Sequence, residues 1–119
     1  MSLYIDQKCI FCSIASGDSD ASIVYGDGDI IAFDDIDPIA PVHVLVVPVS
    51  HISKLIAFDN LRDSQLLGHL MTIAGRIALE KGVDKSGYRV VLNQGPHSGQ
   101  MVDHLHIHLI GGRNLGPLT

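Results

Sequence analysis

Three histidines recur at every second position near the C-terminus, at His104, His106 and His108, with aliphatic residues between them. Because side chains alternate faces along a strand, a strand over residues 104–110 would place all three imidazoles on one face. A neutral imidazole is a good nucleophile near pH 7, and its neighbours could bind phosphate oxygens or a metal. The pattern therefore indicates chemistry on phosphorus or a metal site, with a solvent-facing strand as the plain alternative.

The loop before this strand favours chemistry on phosphorus over a metal site. It is polar over residues 93–100 and includes Gly95, Pro96 and Gly99. The side chain of Asn93 and the backbone of Gly99, Gln100 and Met101 could offer N–H donors to an anion, and glycine permits close approach. A bare metal site would not need these donors. The alternative is that the loop is only a flexible connector.

A second group with possible chemistry is the pair Cys9-x-x-Cys12. In a chain without secretory features such a pair suggests a metal site or redox activity before a structural disulfide. Two reduced thiols at a helix start are the plain alternative. A redox motif is less favoured because no thioredoxin-like βαβ pattern surrounds the pair.

Composition limits the function classes. The chain has 119 residues, enough for a single domain over 1–119, and 46% hydrophobic residues, which is typical of a globular protein. A net charge of −5 argues against binding to a nucleic acid polymer. No apolar run is long enough for a membrane helix, and residues 1–6 lack the features of a secretory signal, so we expect a cytoplasmic protein with no membrane partner.

Hydrophobic periodicity predicts an α+β fold with an antiparallel sheet. We expect Ser50 to cap a short helix over residues 51–58, and Asp59 or Asp63 to cap a long helix that ends at Lys81 and Gly82. Leu105, Ile107 and Leu109 should enter the core against the long helix. The remaining predicted elements are a helix over 9–16, strands over 23–25, 30–33, 43–47 and 88–92, and the histidine strand over 104–110.

The run from Asn93 through Gly99-Gln100-Met101-Val102-Asp103 to His104-Leu-His-Ile-His-Leu-Ile-Gly-Gly-Arg113 resembles the histidine triad nucleotide-binding family, in particular its purine nucleoside phosphoramidase-like branch. The likeness extends to CIFC, Phe33–Ile36, Ala40–Pro48 and His51-Ile-Ser. It implies about five antiparallel strands, a short N-terminal helix, one long helix, and a sheet extended across a homodimer through the long helix and the 88–92 strand.

The resemblance also implies a reaction. His106 would attack the α-phosphorus of a purine nucleoside 5′-phosphoramidate, and water would release AMP from the nucleotidyl-histidine. His108 would contact the phosphate, His43 and His104 would support the imidazole network, and Asp35 would bind the ribose hydroxyls. An apolar slot for the base would be lined by Ile10, Phe11, Ile14, Phe33 and Ile36.

A structural zinc on Cys9, Cys12, His51 and His104 is implied as well, with no organic cofactor. If His104 binds zinc, His43 and His108 must do more of the proton handling. The sequence departs from the branch at Met101, where a serine is usual, at Ser98 and at Asp103, and it lacks the tryptophan-bearing tail of some relatives. The alternatives are a dinucleoside polyphosphate hydrolase, a non-catalytic nucleotide-binding scaffold, and a metalloenzyme using the histidine strand.

Overall fold

The computed structural model describes residues 9–118. The expectation about a secretory signal concerns residues 1–6 and lies outside this range. The described elements are helices α1 (Ile10–Ser16) and α2 (Leu61–Glu80), two short 3-10 turns (Leu55–Ala57 and Pro96–Ser98), and strands β1 (Ile23–Gly26), β2 (Ile30–Asp34), β3 (Val42–Pro48), β4 (Tyr88–Leu92) and β5 (Ile107–Gly111).

The five strands form one antiparallel sheet in the order β1-β2-β3-β5-β4, which confirms the predicted α+β architecture. The central strands β3 and β5 pair with Leu45 opposite His108 and His43 opposite Ile110. Residues directly opposite each other share a face. His43 and His108 therefore lie on the same face as diagonal neighbours. The strands β1 and β4 form the edges, and sheet extension through β4 stays a prediction.

Helix α2 covers the other face of the sheet. Its buried residues recur at helical spacing and pack with Leu105, Ile107 and Leu109, as the alternation predicted. Met71 of α2 is about half exposed. The buried helix residues are Leu70, Ile73, Ala74, Ile77 and Ala78.

The predicted C-terminal end of α2 is confirmed, and the predicted N-cap is wrong. Lys81 is the C-cap and Gly82 has a φ of 76°, so the helix stops where the glycine adopts the left-handed conformation. At the start, the N-cap is Asn60, whose side chain accepts a hydrogen bond from the amide of Asp63. Neither Asp59 nor Asp63 is the cap, because the position is set by where the chain turns into the helix.

Two local predictions are wrong, one for the histidine strand and one for the helix over residues 51–58. Strand β5 begins at Ile107, so His104 and His106 precede it. The predicted helix over residues 51–58 is only the 3-10 turn Leu55–Ala57, and its N-cap is Lys54 and not Ser50. The amide of Leu105 donates to the carbonyl of Ile52 at 2.6 Å, so the two irregular segments are hydrogen-bonded to each other. No helix within residues 9–118 is long and apolar enough to cross a membrane.

Candidate active site

His106 has a defined proton arrangement. Its Nδ1 lies 2.6 Å from the carbonyl oxygen of His104, and a carbonyl can only accept, so we assign the ring proton to Nδ1 and a lone pair to Nε2. The residue is 4% exposed, and burial lowers the pKa of His106, while the carbonyl of His104 and the charge of Asp35 oppose that shift. The ring is therefore neutral near pH 7, which leaves the Nε2 lone pair available.

Aromatic contacts hold the His106 ring. Phe11 of α1 meets it edge-on at a centroid distance of 5.0 Å and 82° between planes. Phe11 also packs against Phe33 of β2 at 5.5 Å, and His108 stands 5.0 Å from His106. Such T-shaped contacts restrict the orientation of the ring.

His43 and His108 form a directed hydrogen-bonded pair. The amide of Ile39 donates to Nδ1 of His43 at 3.2 Å, so the His43 proton is on Nε2. That Nε2 lies 2.9 Å from Nδ1 of His108 and 3.3 Å from a carboxylate oxygen of Asp35. His43 therefore donates to His108, and the proton of His108 is on its own Nε2. Burial lowers the pKa of His108 to about 4, with smaller contributions from His106 and His43.

The outer nitrogens of His106 and His108 make no hydrogen bond within residues 9–118. Among the described residues, every fully buried side-chain nitrogen or oxygen has a hydrogen-bond partner. The Nε2 atoms of His106 and His108 have none, so both are accessible to solvent. The site thus offers a nucleophilic lone pair beside an N–H donor, an arrangement suited to attack on a phosphoryl centre.

Asp35 is held by the loop that follows β2. One of its carboxylate oxygens accepts from the amide of Asp37 at 2.9 Å, and the other lies beside His43. The amide of Asp35 itself donates to the carbonyl of His43 at 2.9 Å. The carboxylate is partly exposed and can accept further hydrogen bonds.

The five predicted base-slot residues do not form one packed group. Phe11 and Phe33 are buried in a cluster with Leu45 and Val47, and Ile14 packs at its margin. Ile10 is half exposed, and Ile36 is fully exposed at 100%. The structure brings three of the five together and leaves two at the surface.

The loop after β4 offers fewer donors than predicted. The amide of Gly99 donates to the carbonyl of Pro96 at 3.1 Å and closes the 3-10 turn, so it is already used. The side chain of Gln100 binds the amide of Gly95 at 2.7 Å and holds the loop. The amides of Gln100 and Met101 have no partner within residues 9–118, and the Met101 side chain is 92% exposed. Asn93 is half-buried at the end of β4.

His104 belongs to a different group. The Nδ1 of His104 lies 3.3 Å from Sγ of Cys9 and 3.5 Å from Sγ of Cys12. The Nδ1 of His51 lies 3.3 Å from Sγ of Cys12. Both cysteines are free thiols. The structure thus places the side chain of His104 beside the two cysteines. Its link to the imidazole network is its carbonyl oxygen, which lies 2.6 Å from Nδ1 of His106.

The donor set of this group fits a metal ion. All four ligand atoms lie within 4.8 Å of one another. The Nε2 of His104 donates to the carbonyl of Pro48 at 2.8 Å, so its Nδ1 carries the lone pair that a metal needs. Burial lowers the pKa of His104 to about 4, which keeps the ring neutral. Two cysteines and two histidines with no open position are typical of structural zinc sites.

Asp35, His43 and His108 also place ligand atoms within 4.8 Å. However, the Ile39 amide occupies Nδ1 of His43, so Nε2 carries a proton and no lone pair for a metal. This group is a hydrogen-bond chain. The sequence analysis missed the amide of Ile39 and the carbonyl of Pro48, because main-chain groups leave no signal in residue type.

Comparisons with known proteins show which family the sequence and fold resemble. The family described as HIT domain matches residues 16–115. The purine nucleoside phosphoramidase of Escherichia coli strain K12 is 38% identical over 112 residues, which is 94% of this chain and 93% of that protein. A histidine triad protein from Clostridium difficile superimposes with a TM-score of 0.90 at 39% identity, covering 96% of this chain and 98% of that one. A HIT family hydrolase from Legionella pneumophila gives a TM-score of 0.87 at 41% identity, covering 92% and 96%.

Proposed function

The chain belongs to the HIT domain family, as its histidine motif predicted, and its relatives support a hydrolase; from that premise we propose that it cleaves the phosphorus–nitrogen bond of purine nucleoside 5′-phosphoramidates. The observation that carries the proposal is the bond from Nδ1 of His106 to the carbonyl of His104, which leaves Nε2 as a nucleophile. The name of the Escherichia coli relative supports the substrate class.

The reaction has two displacements at phosphorus. The Nε2 lone pair of His106 forms a bond to the α-phosphorus while the bond to the leaving amine breaks and its electron pair goes to the amine nitrogen. Water then attacks the phosphorus, and the electron pair of the His106–phosphorus bond returns to Nε2. Over both steps one water is consumed: its hydroxyl ends on AMP and its proton on the amine.

Other groups bind the substrate in this proposal. The N–H on Nε2 of His108 and the amides of Gln100 and Met101 donate to phosphoryl oxygens, which gain charge in the transition state. Asp35 accepts from the ribose hydroxyls. The purine lies against the apolar cluster of Phe11, Phe33 and Ile14, with Ile10 and Ile36 closing over it from the surface.

We further propose that Cys9, Cys12, His51 and His104 hold a structural zinc. The support is the donor set and the lone pair on Nδ1 of His104. The ion would join the start of α1 to the segment before β5, and it would supply no catalytic chemistry because no coordination position stays open. It would thereby stabilise the positions of Phe11 and of the His104 carbonyl beside His106.

We also propose a homodimer that pairs through α2 and the edge strand β4. Leu61, Met71 and Leu79 of α2 and Tyr88 of β4 expose apolar surface. An unpaired edge strand can extend a sheet by joining a second copy. Sedimentation equilibrium should give twice the chain mass, and a single-chain mass at all concentrations would contradict the dimer.

The test of the reaction is to trap the intermediate. The protein is mixed with adenosine 5′-phosphoramidate and quenched in denaturant at alkaline pH, since histidine–phosphorus bonds hydrolyse in acid. Mass spectrometry should find one added adenylyl group on His106. The His106→Ala variant should give no adduct and no ammonia release, whereas His69→Ala, on α2, should keep both. Turnover that persists in His106→Ala would overturn the proposed nucleophile.

A parallel assay distinguishes the main alternatives. Preference for a dinucleoside polyphosphate over the phosphoramidate would identify the other hydrolase class. Nucleotide binding without turnover of either substrate would indicate a scaffold.

A further inference from the structure

Arg113, which follows β5, is hydrogen-bonded to the loop between β2 and β3. Its Nε and one terminal nitrogen both donate to the carbonyl oxygen of Ile39, at 3.1 and 2.9 Å, and its other terminal nitrogen donates to the carbonyl of Asn114 at 2.9 Å. The planar guanidinium is thus fixed at both sides, which suits it to hold a single carbonyl in place.

The neighbouring glycine strengthens the same contact. Gly112 has a φ of 92°, and a Cβ built on it would stand 3.0 Å from the Cβ of Pro41. The backbone at residue 112 therefore lies directly against the proline at the far end of the loop. Two successive residues after β5 hold this loop, one at Ile39 and one at Pro41.

The loop carries the amide that assigns the His43 proton. The carbonyl of Ile39 accepts hydrogen bonds from Arg113, and the amide of Ile39 donates to Nδ1 of His43. Both groups flank the same Cα, so a fixed carbonyl restricts where the amide can point. The side chain of Ile39 is largely exposed and takes no part in this arrangement.

We propose that Arg113 is a positioning residue that keeps the His43–His108 pair in one proton arrangement, with an N–H and not a lone pair on Nε2 of His108. The catalytic consequence of this inference depends on the function proposed above. Since a backbone amide does not release its proton at neutral pH, Ile39 cannot supply a proton to His43. The chain from Ile39 through His43 to His108 acts as a fixed donor directed at phosphoryl oxygens.

Loss of the hydrogen bonds between Arg113 and Ile39 would permit the opposite placement of the ring protons on His43 and His108. If the Ile39 amide moves away, Nδ1 of His43 can hold the proton and its Nε2 can accept from Nδ1 of His108. The lone pair of His108 would then be on Nε2 and would repel a phosphoryl oxygen. The two neutral tautomers of imidazole differ little in intrinsic energy, so the Ile39 amide at Nδ1 and the Asp35 carboxylate beside Nε2 together select the tautomer of His43, and loss of the amide leaves both tautomers populated.

The first experiment reads the tautomers without substrate. In protein labelled with 15N-histidine, long-range proton–nitrogen spectra distinguish protonated from unprotonated ring nitrogens. We expect Nε2–H on both His43 and His108 in the wild type and in Arg89→Met, a matched control whose arginine binds the carbonyl of Gly116 in the same C-terminal segment. In Arg113→Met we expect a second population with Nδ1–H, and Arg113→Lys should restore part of the wild-type pattern.

The second experiment removes the amide itself. Ile39→Pro eliminates the N–H and should give the same mixed tautomers with Arg113 intact. For folded variants, shown by an unchanged far-ultraviolet spectrum, kcat for the phosphoramidate should fall on the order of tenfold or more, as when an oxyanion donor is misdirected. Unchanged tautomers in folded Arg113→Met would overturn the inference, whatever the result for Ile39→Pro. Because the spectra need no turnover, a failed phosphoramidase assay would count against the proposed function alone.

Discussion

The carbonyl of His104 and the ring of His106 lie 2.6 Å apart, and through this bond one residue serves two sites. The main chain of His104 selects the tautomer of His106, while its side chain points to Cys9 and Cys12. A change in the position of His104 within the cysteine–histidine cluster should therefore alter the hydrogen bond to the His106 ring.

Zinc should stabilise the protein through the four-residue cluster. Protein treated with a chelator should gain stability on addition of Zn²⁺, by ~2.7 kcal/mol when free zinc is a hundredfold above its Kd. Thermal unfolding measures the gain, and elemental analysis should find one zinc per chain. Cys12→Ser should abolish both results and His69→Ala should retain them. Purified wild type that neither contains nor responds to zinc would exclude the site.

Stability should fall in mild acid because of His108. Burial lowers the pKa of His108 from 6.5 to about 4. Between these two pH values His108 is therefore protonated in the unfolded chain and neutral in the folded protein. The free energy of unfolding should decline as pH falls through this window and should not respond to this group above it. Urea unfolding at a series of pH values measures the slope. His108→Gln should be less pH-dependent, and an identical slope in both proteins would contradict the assignment.

Phe11 should matter for stability far more than Ile36. Phe11 is 6% exposed and packs on both His106 and Phe33, whereas Ile36 is fully exposed. Phe11→Ala should cost about 3 kcal/mol through lost contacts and a residual cavity, and Ile36→Ala should stay within about 0.5 kcal/mol. Denaturant unfolding gives both values. Equal effects would show that the N-terminal helix does not pack on the sheet in solution.

The start of α2 should depend on Asn60 and not on the nearby aspartates. Asn60→Ala removes the acceptor for the amide of Asp63 and should cost about 1 kcal/mol, while Asn60→Asp should retain most of the stability. Asp59→Ala, one residue earlier, should change the free energy of unfolding by less than about 0.5 kcal/mol. A larger loss at Asp59 would place the cap there instead.

The elements followed from local patterns wherever burial on one side decides the conformation. Leu105, Ile107 and Leu109 alternate, and all three lie in the core against α2. The same alternation predicted too early a start for the strand, since β5 begins at Ile107 and the amide of Leu105 donates to the carbonyl of Ile52. A hydrogen bond between residues so far apart in sequence has no counterpart in local periodicity.

Residue types and spacing alone indicated which groups could do chemistry, namely the imidazoles at 104, 106 and 108 and the thiols at 9 and 12, while the carboxylate at 35 followed from the family resemblance. The tertiary structure decided where the protons are. The carbonyls of His104 and Pro48 and the amide of Ile39 assign the ring protons of His106, His104 and His43. The reason is physical: the two neutral forms of imidazole are close in energy, and main-chain groups that choose between them are the same in every residue, so only their placement in space carries the information.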